Sequence, residues 1–545
     1  MEEQEGRRPA ATAEWGDRRW LTILVVLAVA LRVWQVWHTE VTSRDSIGYI
    51  RIAWQLGHED WRSVLPHSSQ HPLYPLAVLA ASVPVRHWYG GDLAVAMQLS
   101  AQLASCVASV LLVVPMFYLG RELFDRRTAF WAAVLFQCLP ATGKMMADGL
   151  SEPLFLLCVS TGLLFAVRGL RTGSAGALAL AGLASGFAYL TRPEGLIVVG
   201  TTGLVLLAMQ LRARSRWPWR RFLVGGAALT VGALLVAGPF MKVIGGFSVK
   251  NTARWVSDPR VLAKPVEAMP EWAGAHHSPA LSARPMVWAV WWGDKHPTGE
   301  GPSARSWWAL QSLGAVLAKA FFYVFWLPAV LGLWWSRDRF RQVPGTWVLA
   351  LTSLLIALVL YRVARLMGYL GERHLVLVLL CGVYWAAAGL LTMVDRLQRG
   401  HVAVAVMLVL VGVPLAKALE TLHADRAGFR AAGRWLAQHA CPGDYVKDPY
   451  SWAHYYAGRV FLEGSVGAPA HSPPLSYVVL ERSKNPHPHL EEVQDARHDA
   501  ERGRPVRSWP VRRGKEIAEV VVYEVAGTLT PFVRPGMSPN GAPTR

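Results

Sequence analysis

Apolar runs about as long as a bilayer is thick recur along the chain, and short polar turns separate them. A helix rising 1.5 Å per residue needs about 20 residues to cross a hydrocarbon layer. Runs of that order fall near residues 20–38, 93–119, 128–142, 151–168, 174–190, 195–211, 222–241, 312–335, 346–361, 374–392 and 401–417. The pattern predicts an all-α polytopic membrane protein with about eleven transmembrane helices, the run at 128–142 being the shortest. The turns alternate in character. Arginine fills RELFDRR (121–127), RGLRTG (168–173), RARSRWPWRR (212–221), SRDRFRQ (336–342) and DRLQRG (395–400), whereas the opposite short turns hold only Lys144, Arg192, Arg362, Arg365 and Arg373. Arg7, Arg8, Arg18 and Arg19 precede the first run. The positive-inside rule therefore puts the N-terminus and the arginine-rich turns in the cytoplasm and the other turns outside.

Two far-side loops are long, residues 39–92 and 242–311, and long loops in compact proteins are commonly functional. Within the first, Ser46 to Leu56 and Pro72 to Val83 alternate at helical spacing, which predicts short helices along the interface. After the last run the composition returns to that of a water-soluble chain. A helical stretch, Arg426 to His439, and strand-like runs, Ser476 to Leu480 and Ile517 to Val525, predict a small extracytoplasmic α/β domain. The expected organisation is a cytoplasmic head (1–19), a transmembrane domain (20–417), the soluble domain (418–530) and a disordered tail (531–545).

Composition agrees. Of the 545 residues 53% are hydrophobic and only 17% charged, with mean hydropathy +0.26, which excludes a soluble multidomain protein. The net charge of +18 is topogenic, because the basic residues sit between apolar runs, and no nucleic-acid partner is expected. The first run has no small-residue cleavage site and is expected to stay as an anchor. Several of the 25 tryptophans (Trp20, Trp34, Trp37, Trp217, Trp219, Trp334, Trp335) stand at run ends, where the interface favours them. The five cysteines show neither pairing nor metal spacing, so a divalent metal is not indicated. There is no P-loop, dinucleotide fingerprint, zinc-protease motif or nucleophile elbow.

Candidate chemistry gathers on the far side. In RDSIGYI, Asp45 and Tyr49 share one helix face; Asp45 reads either as a general base at the water–membrane boundary or as a helix cap. In KMMADGLSEPLF, Asp148 either flanks the same site or forms an i,i+4 pair with Lys144, while Ser151-Glu152-Pro153 starts a helix. In AYLTRPEGLIV, Arg192 and Glu194 break an apolar run. Arg192 is either part of an ordinary turn or a clamp for phosphate, with Pro193 opening the next helix. His71, Lys242, Arg373 and His374 share that side as further phosphate candidates or solvated charges.

Five segments in order carry a family resemblance: Arg44-Asp45-Ser46, QHPLYPL (70–76, containing His71 and Tyr74), MADGLSEPLF (146–155), YLTRPEG (189–195) and GERHL (371–375). Together they resemble the GT-C superfamily of membrane glycosyltransferases, in particular protein O-mannosyltransferases and lipid A aminoarabinose transferases. The resemblance implies a GT-C fold and a polyprenyl-phosphate sugar as donor, with no soluble cofactor. It further implies inverting transfer to a protein, lipid or glycan acceptor outside the cytoplasm, in a bacterial inner membrane. It makes Asp45 the catalytic acid and Asp148 the second acid; from their place on the same side, Tyr49, His71, Tyr74, Lys144, Arg192, Glu194, Arg373 and His374 are expected around the substrates. Two departures stand out: His71 falls where some relatives have lysine, and Ser46 where many have a second acid. The alternative is a transporter or flippase for a lipid-linked or anionic substrate, which would place polar residues deep within several spans.

Overall fold

A computed structural model describes residues 10–211, 218–249, 302–367, 370–397, 399–441, 443–462, 475–482, 491–513 and 516–525. The head before residue 10, most of the loop 242–311 and the tail 531–545 lie outside the described residues, as do the expectations attached to them.

Helices dominate. α1 (Ala10–Trp37) is followed by three far-side helices, α2 (Arg44–His58), α3 (Trp61–His67) and α4 (Leu73–Trp88). Then come α5 (Leu93–Leu123), α6 (Arg126–Cys138), the single turn α7 (Pro140–Gly143), α8 (Glu152–Thr172), α9 (Ala175–Thr191), α10 (Ile197–Leu211) and α11 (Trp219–Ile244). The second half holds α12 (Pro302–Ala320), α13 (Trp326–Trp335), α14 (Gly345–Met367), α15 (Val376–Asp395) and α16 (Gly400–Ala418). Among the described residues eight helices are long and apolar enough to cross a membrane; α9 and α13 are apolar but shorter. The interfacial helices expected over 46–56 and 72–83 are α2 and α4.

Capping fixes where these helices begin. The side chains of Ser43, Asp60, Asp92, Asp125 and Ser174 accept from free backbone N–H groups in the first turns of α2, α3, α5, α6 and α9. One expectation fails. The run at 312–335 is not one span but two helices, α12 and α13, broken between them where Phe322 and Tyr323 adopt positive φ. Phe321 and Phe325 bury at this break, and its backbone N–H groups stay satisfied by irregular turn bonds, such as Phe322 to the Lys319 carbonyl (2.8 Å) and Tyr323 to the Ala318 carbonyl (2.7 Å).

Lipid supplies no hydrophobic force between helices, so close packing of small residues joins them. A Cβ at Gly182 of α9 would overlap the Leu229 carbonyl of α11, and one at Gly232 of α11 would overlap the Ala179 carbonyl. Gly332 of α13 and Gly389 of α15 bring that pair together in the same way, against Trp385 and Pro328 carbonyls. At the arginine-rich end, Asp17 meets Arg121 and Arg126, Glu122 meets Arg168 (3.1 Å) and Arg171 (2.5 Å), and Arg127 meets Asp395 (2.9 Å). The basic turns thus collect at one end of the bundle.

At the other end sits a four-stranded sheet, ordered β1-β2-β4-β3, of Tyr445–Lys447, Ser476–Arg482, Arg504–Arg513 and Glu516–Val525. β1 runs parallel to β2, and the other pairings are antiparallel. Alternation sends Tyr477, Val479, Val520 and Val522 to the face covered by α17 (Ala427–His439), and Val478, Leu480 and Val525 to the face covered by α19 (Glu491–Glu501). Between β1 and β2 lies the short α18 (Trp452–Tyr456). The expected helix and both expected strands are present; β1, too short, and β3, carrying Pro505 and Pro510 among arginines, were not anticipated.

This unit is welded to the far-side end of the bundle. Phe429, Trp452, Tyr455 and Tyr456 share one apolar core with Ile50, Tyr74 and Met97. Thr42 donates its N–H to the Tyr456 hydroxyl (2.9 Å) and accepts from the Trp452 indole (2.8 Å), and Tyr455 donates to the Ala94 carbonyl (2.6 Å). Glu40 and Leu422 pair through their backbones.

Because the α9–α11 crossing relies on bare backbone, Gly232→Val is expected to lower stability by about 1–3 kcal/mol through overpacking. Gly226→Val on the same helix, where nothing lies within 4 Å of an added Cβ, is expected to change little. Thermal unfolding of the two variants in detergent compares them.

Candidate active site

Ser43 caps α2, and this removes the cap role from Asp45, which lies in the first helical turn. Free of that duty, the Asp45 carboxylate faces the Arg373 guanidinium and forms an ion pair with it. The two side chains are 44% and 34% exposed, so solvent and a ligand can reach them. Arg373 is held by a short 3-10 turn, Glu372–Leu375, at the head of α15. Gly371 donates its N–H to Nδ1 of His374 (3.0 Å), and Glu372 pairs with Lys319 (2.7 Å) at the end of α12. His374 therefore fastens this turn and Glu372 anchors it, which leaves Arg373 presented to Asp45.

The turn before α8 lies against the start of α2. Ser43 donates its hydroxyl to the Asp148 carbonyl (3.2 Å), and the Tyr49 and Ser151 hydroxyls share a hydrogen bond (2.8 Å). Gly149 has φ +68°, a conformation glycine adopts without penalty, and a Cβ there would press on Ser46 Oγ. Ser46 is fully buried in this contact.

Asp148 itself is buried and accepts from His423 Nε2 (2.8 Å), a residue from beyond the last span. Burial pushes its carboxyl above the ordinary range; His423 opposes this, while the negative charges of Glu152 and Asp45 add to it. Burial works against a charge on His423 as well, but the Asp148 carboxylate outweighs it and holds the imidazole above its usual value. Lys144 does not pair with Asp148 as the spacing allowed. It reaches Glu420 instead (3.0 Å).

Pro193 opens the 3-10 turn that leads into α10, as expected. Arg192, just before it, is 17% exposed and lies between Glu152 (2.7 Å, itself 5% exposed) and Glu194 (3.7 Å), stacked over Phe155. Arg192 thus stands in the expected turn between two helices, and its guanidinium is engaged by two carboxylates that neither reading named. His71 is fully buried, bonded through Nε2 to Ser248 (3.0 Å) and packed against the Tyr189 and Phe240 rings. Tyr74 is buried too, its hydroxyl spent on the Ala101 carbonyl (3.0 Å) and Ser105 (2.7 Å), so it joins α4 to α5. Lys242 stands in the last turn of α11.

The structure thus brings Asp45, Tyr49, Asp148, Arg192, Glu194, Arg373 and His374 into one continuous set, linked by Ser43, Ser151 and Glu152. His71 packs on Tyr189 and Phe240 and bonds Ser248, and Tyr74 and Lys144 serve neighbouring contacts. Sequence reasoning missed His423, Glu152 and Lys319. Glu152 reads as a helix-start residue, which by position it also is, and nothing local to His423 signals a partner 275 residues away. Among the described residues no group of three or more His, Cys, Asp or Glu side chains is placed to hold a metal ion.

Comparisons with known proteins now bear on this arrangement. Residues 88–236 match the family of dolichyl-phosphate-mannose-protein mannosyltransferases. The archaeal oligosaccharyltransferase AglB from Archaeoglobus fulgidus, solved with an inhibitory peptide and a dolichol-phosphate, superposes with TM-score 0.54 at 13% identity. That match covers 82% of this chain but 64% of AglB, so the chain spans less than two thirds of that enzyme. ArnT from Cupriavidus metallidurans, solved bound to undecaprenyl phosphate, superposes with TM-score 0.53 at 16% identity over 94% of this chain and 99% of that one. No curated protein matched the chain. With the five motifs, the ladder of apolar helices and the C-terminal sheet unit all agreeing, the chain is an integral membrane protein with the fold of the GT-C glycosyltransferases.

Proposed function

We propose that this chain is a glycosyltransferase that moves a sugar from a polyprenyl-phosphate donor to a protein, lipid or glycan acceptor outside the cytoplasm, with inversion. The observation that carries the reading is the reachable Asp45–Arg373 pair at the far-side helix ends of a GT-C fold. Arg373 stabilises the departing lipid phosphate, whose negative charge grows as the bond from the sugar carbon to phosphate oxygen breaks. Asp45 takes the proton of the acceptor as its oxygen or nitrogen forms the new bond from the opposite face. The donor tail lies among the helices, and polyprenyl phosphate is the leaving product. The dolichol-phosphate bound to AglB and the undecaprenyl phosphate bound to ArnT support a donor of this class. We assign the arginine-rich end to the cytoplasm and the sheet unit to the outside, in a bacterial inner membrane, on the charge asymmetry of the turns.

Arg192, already held by Glu152 and Glu194, shapes the wall of the site rather than clamping phosphate directly. A translocating carrier would concentrate polar groups at mid-membrane. Here Asp45, Asp148, Arg192 and Arg373 all stand at helix ends or in the turns between them.

Asp45→Asn is expected to abolish transfer from a lipid-linked donor in reconstituted vesicles while insertion and thermal unfolding stay as in the parent. Full activity in that variant removes the base assignment. Arg373→Gln is expected to weaken donor binding by about tenfold or more, as loss of a charge-assisted hydrogen bond does, measured by titration with the donor; unchanged affinity removes Arg373 from the phosphate site. Arg192→Met leaves Glu152 buried without its nearest cation and is expected to cost about 3 kcal/mol or more of stability. Adding Glu152→Gln should return part of that loss in the same melting assay, and no recovery would show the two groups to be energetically independent.

A further inference from the structure

His423 belongs to the soluble unit, yet its ring lies in the transmembrane cluster. Its Nε2 is 2.8 Å from Asp148 Oδ1, and both side chains are nearly buried. The backbone around it is built to deliver that ring. His423 adopts φ 55°, which costs a non-glycine residue energy and is kept only where neighbours enforce it. On one side Leu422 is fixed between His38 and Glu40 by two backbone hydrogen bonds of 2.9 and 3.1 Å. On the other, Arg426 is buried against Glu481 (2.8 Å) and stacks on Trp452. Ser43 meanwhile holds the Asp148 carbonyl from the α2 side.

We propose that His423 is a positioning residue for Asp148, so that the C-terminal unit completes the reaction centre instead of merely standing beside it. The inference rests on Asp148 serving the transfer reaction. The groups facing the pair are Asp425 and Arg426 on the segment of His423, and Glu152 and Asp45 across from it. Glu152 and Asp45 are paired with Arg192 and Arg373, and Asp425 with Arg426, whereas the imidazole bonds Asp148 itself and its N–H fixes one carboxylate oxygen. The sign for pH follows. His423 titrates above its ordinary value, so the proton that holds Asp148 is fully present at lower pH and is lost as pH rises through that raised value.

The test uses the full-length protein and a polyprenyl-phosphate sugar in vesicles, comparing His423→Ala, His423→Gln and Asp148→Asn. His423→Ala should lower kcat by about 10²-fold, the size of effect that misplacing a reacting group produces, with KM for the donor little changed. His423→Gln keeps a neutral donor and should recover part of kcat, while the alkaline fall of the parent's pH profile disappears. If Asp148→Asn is impaired but His423→Ala keeps both the parental kcat and the alkaline fall, the positioning role is wrong and the reading of Asp148 stands. If Asp148→Asn is fully active, the reading of Asp148 fails and the inference goes with it. Should His423→Ala not fold, the pH profile of His423→Gln decides: an unchanged alkaline fall overturns the proposal.

Discussion

A charge at the edge of a bilayer must be paired or wetted, because lipid offers it nothing. That constraint explains most of what is distinctive at the far-side end of this protein. Arg192 pairs with Glu152, Arg373 with Asp45, Lys319 with Glu372, Lys144 with Glu420 and His423 with Asp148. Each pair joins segments far apart in the chain, so the charges hold the helix ends in register as well as satisfying one another. Burial of an ion pair costs desolvation and is weak evidence for stability in itself. Its value here is placement: it sets which acid is reachable and which cation is already committed.

The gradient of exposure is informative in this light. Asp45 and Arg373 are the reachable pair, Arg192 and Glu152 a deeper one, and Asp148 and His423 almost wholly enclosed. Chemistry needs a group that substrates can touch, backed by groups whose orientation does not drift. The buried pairs, with Tyr49 on Ser151 and Ser43 on the Asp148 carbonyl, are that backing.

Much of the fold was legible because its signals are local. Apolar runs of bilayer length mark the spans, and short valine-rich runs mark β2 and β4. The exception at 312–335 is instructive: hydropathy sees only that Phe321, Phe322, Tyr323 and Phe325 are apolar, not that two of them break the helix. The site was less legible. Asp45 and Arg373 could be placed on one face from topology, but which cation meets which acid depends on contacts across hundreds of residues. Arg192 looked like a free fork because Glu152 lies 40 residues earlier, and Tyr74 looked like a ligand contact because Ser105 and the Ala101 carbonyl, on another helix, absorb its hydroxyl. His423 lay in a tail that gave no hint of reaching back.

The strip that joins residues 38–42 to residues 418–422 ties the first span to the last. Trp34 and Gln35 donate to the carbonyls of Leu419 and Ala418, and Leu422 pairs with the backbone at 38–40. Residues 38–42 are made long before residues 418–422. The seam can close only once the last apolar helix is seated beside the first, so the turn carrying Asp148 and the segment carrying His423 come together only after most of the chain has been made.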